Sequence, residues 1–391
     1  MFMMISNKVS ITLVFLGMST AVRALSSVTP PKVSKPVVTS TGTAIPWKQA
    51  VLDYSATNGF LDHYYGIKNY FKNDHKPETV YNARSGVLMK NGNPQNAEDE
   101  TLVPASLGNC GFELVHAPGS EVSNWQDLEQ VRNTYLPRAR HAILQAYASS
   151  SMPPVKDIIF WKPTERSGPT SYVSPVHIDI DVNAYGNSFD DLLDFVYSCH
   201  VPDDPVSDAA QREMWKEALE GGARFCVTNV WHNVREDLPA IQAPMGLLRT
   251  HYDTKDSCQV DSSGLCPSDY EEDENITSED ILASWPALPH VKPSNKSRWY
   301  TFPAVTSDEL LLFTQYDRDV RTTTDVWHCA LTNVINHSEQ YSDRSDDDAR
   351  NRHSFDMRCL VLLDESVPEE WDRCNPKHHI PMRSEALAEE S

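Results

Sequence analysis

Several common signatures are missing from this 391-residue chain, and each absence removes a class of protein. No Cys-x-x-Cys pair occurs, which excludes a zinc ribbon or a thioredoxin-type centre. There is no Gly-x-Ser-x-Gly elbow, no phosphate loop and no dinucleotide fingerprint. Basic charge is scarce: 34 Lys and Arg against 55 Asp and Glu give a formal net charge of −21 and a pI near 5.0. That balance argues against nucleic acid or an anionic membrane as partner. Beyond the N-terminal segment no run is long and apolar enough to cross a bilayer, so no stable membrane insertion is expected. No internal repeat is visible.

What is present first points outward. Lys8 precedes an apolar run from Val9 to Val22, and Val22-Arg23-Ala24 offers small residues for cleavage, so residues 1–24 read as a signal peptide. Residues 25–46, rich in Ser, Thr, Pro and Val, suit an extended linker. All 8 cysteines follow the signal, and an even count in a secreted chain permits up to four disulfides. Cys258 and Cys266, enclosing a short polar loop, are the expected pair. Asn275-Ile-Thr277, Asn295-Lys-Ser297 and Asn336-His-Ser338 are glycosylation sequons in polar stretches. Together these features predict a glycoprotein that is secreted or held in the secretory-pathway lumen.

A hydrophobic content of 40% is enough for a proper core. Residues 47–152 read as a helical or mixed region packed on that core. Gly111 to Val115 looks like a strand. Ser123 and Gln126 form a capping-box pattern before Leu128, Val131 and Tyr135, and Pro137 is expected to kink that helix or split it from Arg138–Ala148. Residues 153–365 carry short strands: Val155–Trp161, Val173–Ile180, Arg224–Trp231, Met245–Arg249, Arg298–Phe302, Glu309–Gln315, Asp325–Leu331 and Ser354–Leu363. Two helices interrupt them, Phe189–Tyr197 and Ser207–Leu219, with Ser207 as N-cap and Gly221-Gly222 as stop. An acidic insertion spans about Asp253 to Trp285, and residues 366–391 form a polar tail. The pattern predicts an α+β fold: a jelly roll of two sheets with supporting N-terminal helices.

The chemistry centres on Pro175-Val-His-Ile-Asp-Ile-Asp181. On a strand, His177 and Asp179 would share one face, with Val176, Ile178 and Ile180 on the other. A second imidazole would complete the two-His, one-carboxylate set that holds non-haem Fe(II) and leaves positions open. His328, in Val326-Trp-His-Cys-Ala-Leu331, is the candidate. Asp181 competes with Asp179 as the carboxylate, and zinc competes with iron on the same ligand types. Arg352 and Ser354 share a strand face, so guanidinium and hydroxyl could grip one carboxylate, with Arg358 facing the same way as a competitor. Asn229-Val-Trp231 could place an amide in the pocket.

The order of these segments resembles the family of Fe(II)/2-oxoglutarate oxygenases that includes fungal gibberellin desaturases, an asterriquinone-cluster hydroxylase/desaturase and the cephem-methoxylase subunit. The resemblance runs from about residue 60 to 365. It is carried by Gly111-Phe-Glu-Leu114, Val176-His-x-Asp179, Asn229-Val-Trp231, Arg298-Trp-Tyr300, Gln315-Tyr-Asp317, Trp327-His-Cys-Ala330 and Arg352-x-Ser-x-x-x-Arg358. It implies a double-stranded β-helix with His177, Asp179 and His328 on iron, and Arg352 and Ser354 on the distal carboxylate of 2-oxoglutarate. The substrate would be a small organic molecule, hydroxylated or desaturated. The chain departs from the family at His232-Asn233, where Arg-Pro is usual, and at Trp327, where Pro is usual. A jelly-roll glycoprotein that binds without turnover is the alternative.

Overall fold

The computed structural model describes residues 46–53, 75–90, 100–119, 122–167, 178–179, 189–202, 205–240, 243–249, 260–261, 290–291, 298–319, 321, 326–331, 333–334 and 352–375. All belong to the unit Val38–Ser391. The signal, most of the linker, His177, Asp181, Cys258, Cys266, the three sequon asparagines and residues 376–391 lie outside the described residues.

In chain order the strands are β1 (Pro46–Asp53), β2 (His75–Asn82), β3 (Val87–Lys90), β4 (Glu100–Val103) and β5 (Phe112–His116). A short helix α1 (Leu107–Cys110) precedes β5. Helix α2 (Leu136–Ser149) leads to β6 (Val155–Ser167), and helices α3 (Phe189–Ser198) and α4 (Pro205–Glu220) lead to β7 (Ala223–Asn233). Then come β8 (Met245–Arg249), β9 (Val260–Asp261), β10 (His290–Val291), β11 (Arg298–Thr301), β12 (Glu309–Asp317), β13 (Val326–Ala330), β14 (Asn333–Val334) and β15 (His353–Ser366).

Two large sheets result. One is five-stranded and antiparallel throughout, in the order β5-β12-β7-β15-β6. The other is six-stranded, in the order β13-β8-β11-β2-β1-β14, with β11 and β2 parallel. From β7 onward the chain passes from the first sheet (β7) to the second (β8, β11), back (β12), across (β13) and back (β15). Residues assigned from sequence to the helical region thus also supply β1, β2 and β5 to the sheets. The fold is mixed α+β; a closed barrel is not formed among the described residues.

Alternation along β15 explains the layers. Phe355, Met357, Cys359, Val361 and Leu363 join the core beneath α2. That helix meets them with Ala139, Ala142, Ile143, Ala146 and Tyr147, a helical-period stripe. On the other face, Leu360 and Leu362 pack with α3 and α4 through Leu192, Leu193, Val196, Trp215 and Leu219. Near the opposite end of that face, Trp231, Leu311 and Phe313 meet Leu247, Tyr300 and Val326 of the second sheet. Burying each such large side chain contributes roughly 1.5–3 kcal/mol.

The local signals agree with the structure in kind more than in place. The helical run begins at Leu128, because Asp127 is the N-cap: its Oδ1 accepts from the backbone N–H of Glu129 (3.0 Å) and Gln130 (3.3 Å). Ser123 instead bonds Gln130 Oε1 at 3.1 Å. Pro137 does not split the helix. The chain passes from Leu128–Gln130 through a π turn, Val131–Tyr135, into α2. That wide turn accommodates the missing N–H and the ring that an α-helix would exclude. Helix α4 starts at Pro205, ahead of Ser207, since proline suits a first helical position. It stops as expected, with Gly222 at φ +81.

The bound of four disulfides falls. Cys110, Cys199, Cys226, Cys329, Cys359 and Cys374 all remain thiols. Each settles on another partner or in the core: Cys359 Sγ donates to the Thr228 carbonyl at 2.9 Å, and Cys374 Sγ lies 3.2 Å from Tyr316 Oη. Only Cys258 and Cys266 are left for a bridge.

Candidate metal and carboxylate site

The site lies between the sheets, on the face of the five-stranded sheet that turns away from α2. The sequence places Asp179 on a strand, yet Ile178 and Asp179 are not strand residues; Asp179 sits in a bend. At this bend a side chain, not a neighbouring strand, accepts from the Asp179 backbone N–H. The Asp179 backbone N–H donates to Gln315 Oε1, while Gln315 Nε2 donates back to Asp179 Oδ2 at 2.8 Å. Asn229 Nδ2 donates to the same oxygen at 2.7 Å, and Arg358 Nη2 donates to Oδ1. These donors come from three neighbouring strands, β12, β7 and β15.

His328, on β13 and only 4% exposed, comes from the opposite sheet. Its Nε2 is 3.4 Å from Asp179 Oδ2. Its ring packs against Phe313, with centroids 4.7 Å apart. Burial lowers the Arg358 guanidinium, but the carboxylates of Asp179 and Asp356 outweigh it and leave the group raised, a fixed positive charge.

Arg352 and Ser354 lie at the start of β15. Arg352 Nε donates to Ser354 Oγ at 3.1 Å and its Nη1 to the Ala243 carbonyl at 2.9 Å. The Trp231 ring lies 5.0 Å below the guanidinium. A cavity partly open to solvent is lined by Asp179, His328, Asn229, Arg352, Arg166 and Asp356 on its polar side. Trp231, Met245, Phe313 and Ala330 form its apolar walls.

Asp179, His328, Asn229 and Arg352 are therefore brought to one cavity, with Ser354 and Arg358 bonded to its wall residues. His177 lies outside the described residues. Sequence reasoning misses three contributors. Gln315 enters only as part of the Gln315-Tyr-Asp317 segment, with no role assigned. Asp356 and Arg166, paired at 2.6 Å across β15 and β6, depend on a register that one sequence does not state. The alternation from Arg352 through Ser354 to Arg358 is the signal that flags Asp356 on the same face.

The donor chemistry fits a metal. Bonds of about 2.1 Å place neighbouring oxygen and nitrogen ligands about 3.0–3.4 Å apart, and the Asp179–His328 separation is 3.4 Å. Among the described residues no third His, Cys, Asp or Glu completes a cluster. A third ligand would have to come from outside them.

The chain belongs to the family described as "Oxidoreductase/YMDC permease-like domain", whose profile matches residues 62–362. Among the described residues no helix is long and apolar enough to cross a membrane. No curated protein matches. Among solved structures, the chain is similar to an "iron and alpha-ketoglutarate-dependent endoperoxidase NvfI with different conformation", at 16% identity and a TM-score of 0.45, covering 81% of this chain and 98% of that one. A second structure of that endoperoxidase gives 17%, 0.41, 75% and 89% for identity, TM-score and the two coverages. A variant of it with one tryptophan replaced by phenylalanine gives 15%, 0.41, 81% and 96%. Membership in the family rests on the profile.

Proposed function

We propose that the chain is an Fe(II)- and 2-oxoglutarate-dependent oxygenase acting on a small organic molecule, by hydroxylation or desaturation. The two large sheets are then the halves of a double-stranded β-helix, as in the gibberellin-desaturase-like family. The observation that carries this reading is the approach of Asp179 Oδ2 to His328 Nε2, 3.4 Å, in a cavity that Arg352 also lines. In this reading Asp179 and His328 hold the metal, with His177 as third ligand. Arg352 and Ser354 receive the distal carboxylate of the 2-oxo acid, with Arg358 as a second candidate for that role.

Iron with the 2-oxo acid supplies an oxidant able to remove hydrogen from carbon. The chain supplies placement and dryness. Trp231, Met245, Phe313 and Ala330 keep water from the reacting side, and Arg352 gives a guanidinium with fixed charge, held by Ser354 and the Ala243 carbonyl. On sequence alone, we also propose secretory routing and glycosylation at Asn275, Asn295 and Asn336.

The test is an anaerobic Fe(II) titration with and without 2-oxoglutarate, following the weak visible charge-transfer band. A band in the wild type that is lost in His328→Ala is the expected result. No band and no retained iron in folded protein would sink the oxygenase reading.

A further inference from the structure

The cavity-facing side of the five-stranded sheet is apolar toward α3 and α4 and mixed toward the second sheet, where Arg352, Ser354 and Asp356 stand beside Trp231. Toward α3 and α4 it carries Phe225, Val227, Leu360 and Leu362; toward the second sheet it carries Trp231, Leu311 and Phe313. Between them, on adjacent strands, stand Arg358, Asn229 and Gln315, which are 4%, 2% and 1% exposed. Asn229 pairs in register with Arg358, and Gln315 is the extra residue at a register shift between Thr314 and Tyr316. Gln315 keeps the alternation of Leu311 and Phe313, and the shift lets Tyr316 follow it on the same face. Burying three polar groups in an apolar sheet face is costly unless each finds a partner. One donor of each reaches the Asp179 carboxylate, while Arg358 Nε and Nη1 and Asn229 Oδ1 have no hydrogen-bond partner among the described residues.

We propose that Arg358, Asn229 and Gln315 are positioning residues that fix the Asp179 carboxylate in one rotation, with Oδ2 turned toward His328 Nε2, and that Arg358 serves Asp179 and not the incoming 2-oxo acid. The metal-binding part rests on the functional reading above; the carboxylate-holding part stands without it. Three points support the assignment. Arg358 Nη2 takes Oδ1, while Asn229 and Gln315 donate to Oδ2, the oxygen 3.4 Å from His328 Nε2, so donors on both oxygens hold the carboxylate in one rotation. Gln315 binds both the backbone N–H and the side chain of residue 179, which ties down the bend at two points. Arg352, in contrast, bonds Ser354 and a main-chain carbonyl, and it lines the cavity. Arg358 in β15 and Arg352 just before it therefore divide the work: one orients a ligand residue and the other faces the cosubstrate.

The experiment uses the full chain and Mn(II), a redox-stable probe, by calorimetry in the absence of 2-oxoglutarate. Arg358→Met is expected to weaken Mn(II) binding about 10–100-fold, the usual effect of removing a group that orients a metal ligand, with Arg358→Lys in between. On protein saturated with Mn(II), affinity for 2-oxoglutarate should stay within about twofold in Arg358→Lys, while Arg352→Lys shows the reverse pattern. Unchanged Mn(II) affinity in Arg358→Met, or loss of 2-oxoglutarate affinity alone, overturns the proposal. A double-mutant cycle of Asp179→Asn and Arg358→Lys in urea unfolding of metal-free protein provides a second readout. Coupling of about tenfold or more in the unfolding constant supports the hold on Asp179, and additive effects overturn it. If the wild type binds no Mn(II), the functional reading fails, and the cycle alone decides the hold on Asp179.

Discussion

Arg352 Nε reaches Ser354 Oγ at 3.1 Å along one face of β15, with the Trp231 ring 5.0 Å beneath the guanidinium. The hydroxyl and the aromatic face fix the fork before any ligand arrives, which lowers the ordering cost of binding a carboxylate. A lysine would keep the charge and lose the planar fork and the stacking. Arg352→Lys should therefore raise the 2-oxoglutarate concentration for half-saturation by about 10–100-fold, from the loss of roughly 1.5–3 kcal/mol of charge-assisted bonding. Mn(II) affinity should not change. Titration of each variant with 2-oxoglutarate at saturating metal checks this, and equal half-saturation would remove Arg352 from the cosubstrate site.

A second fork is structural. Arg224 Nε and Nη2 meet Asp317 Oδ1 and Oδ2 at 3.0 and 2.7 Å, and the Asp317 side chain is fully buried. Burial lowers the guanidinium, while the bonds and charge of Asp317 raise it further, so the net shift is upward. Removing one partner strands a buried charge. Arg224→Met should cost about 3–5 kcal/mol, and Arg224→Met with Asp317→Leu should recover much of it. Urea unfolding of both variants gives the comparison; a double variant no more stable than the single one contradicts it.

The strands that read most clearly are those buried on both faces. Along β7, β12 and β15 the runs of Val, Leu, Phe and Trp hardly break, and β8 lies where its apolar pattern places it, Met245 to Arg249. The β6 strand runs beyond Trp161 to Ser167, because pairing with β15 continues through a polar stretch that carries no hydrophobic signal. At the site, Asp179 and His328 carry recognisable chemistry, so their types and contexts are legible. Gln315 is not, since its role depends on a bend that brings Asp179 to it. Asp356 can be flagged by its alternation with Arg352, Ser354 and Arg358, but its pairing with Arg166 cannot, since that depends on the register of two strands.

The cysteines give a test of compartment and of fold together. Cys110, Cys226, Cys329 and Cys359 are at most 1% exposed, while Cys199 and Cys374 are half-buried. Burial pushes the thiols of Cys226 and Cys359 up, so their reactive thiolate fraction is small at neutral pH. Alkylation of native protein without reductant, read by mass mapping, should mark Cys199 and Cys374 slowly and the other four only after unfolding. Finding any of those four oxidised in protein from the secretory pathway would contradict their thiol state.

His232 sets an acid limit on stability. Its Nε2 donates to the Ser307 carbonyl at 2.7 Å, and its ring stacks on Tyr135 with centroids 5.5 Å apart. Burial, then the nearby Arg138 charge, pushes the imidazole from 6.5 to about 3, against the pull of the Ser307 bond. The folded protein thus keeps His232 neutral where the unfolded chain takes up a proton. Its contribution to stability is full above about pH 6.5 and is lost as the pH falls toward 3. A displacement of that size corresponds to on the order of 5 kcal/mol at the acid end. His232→Gln keeps an N–H for Ser307 and cannot titrate, so it shifts the baseline without the slope. Urea midpoints of both proteins between about pH 7 and about pH 4 should therefore converge as the pH falls. Parallel curves would show that the buried imidazole is not what acid attacks.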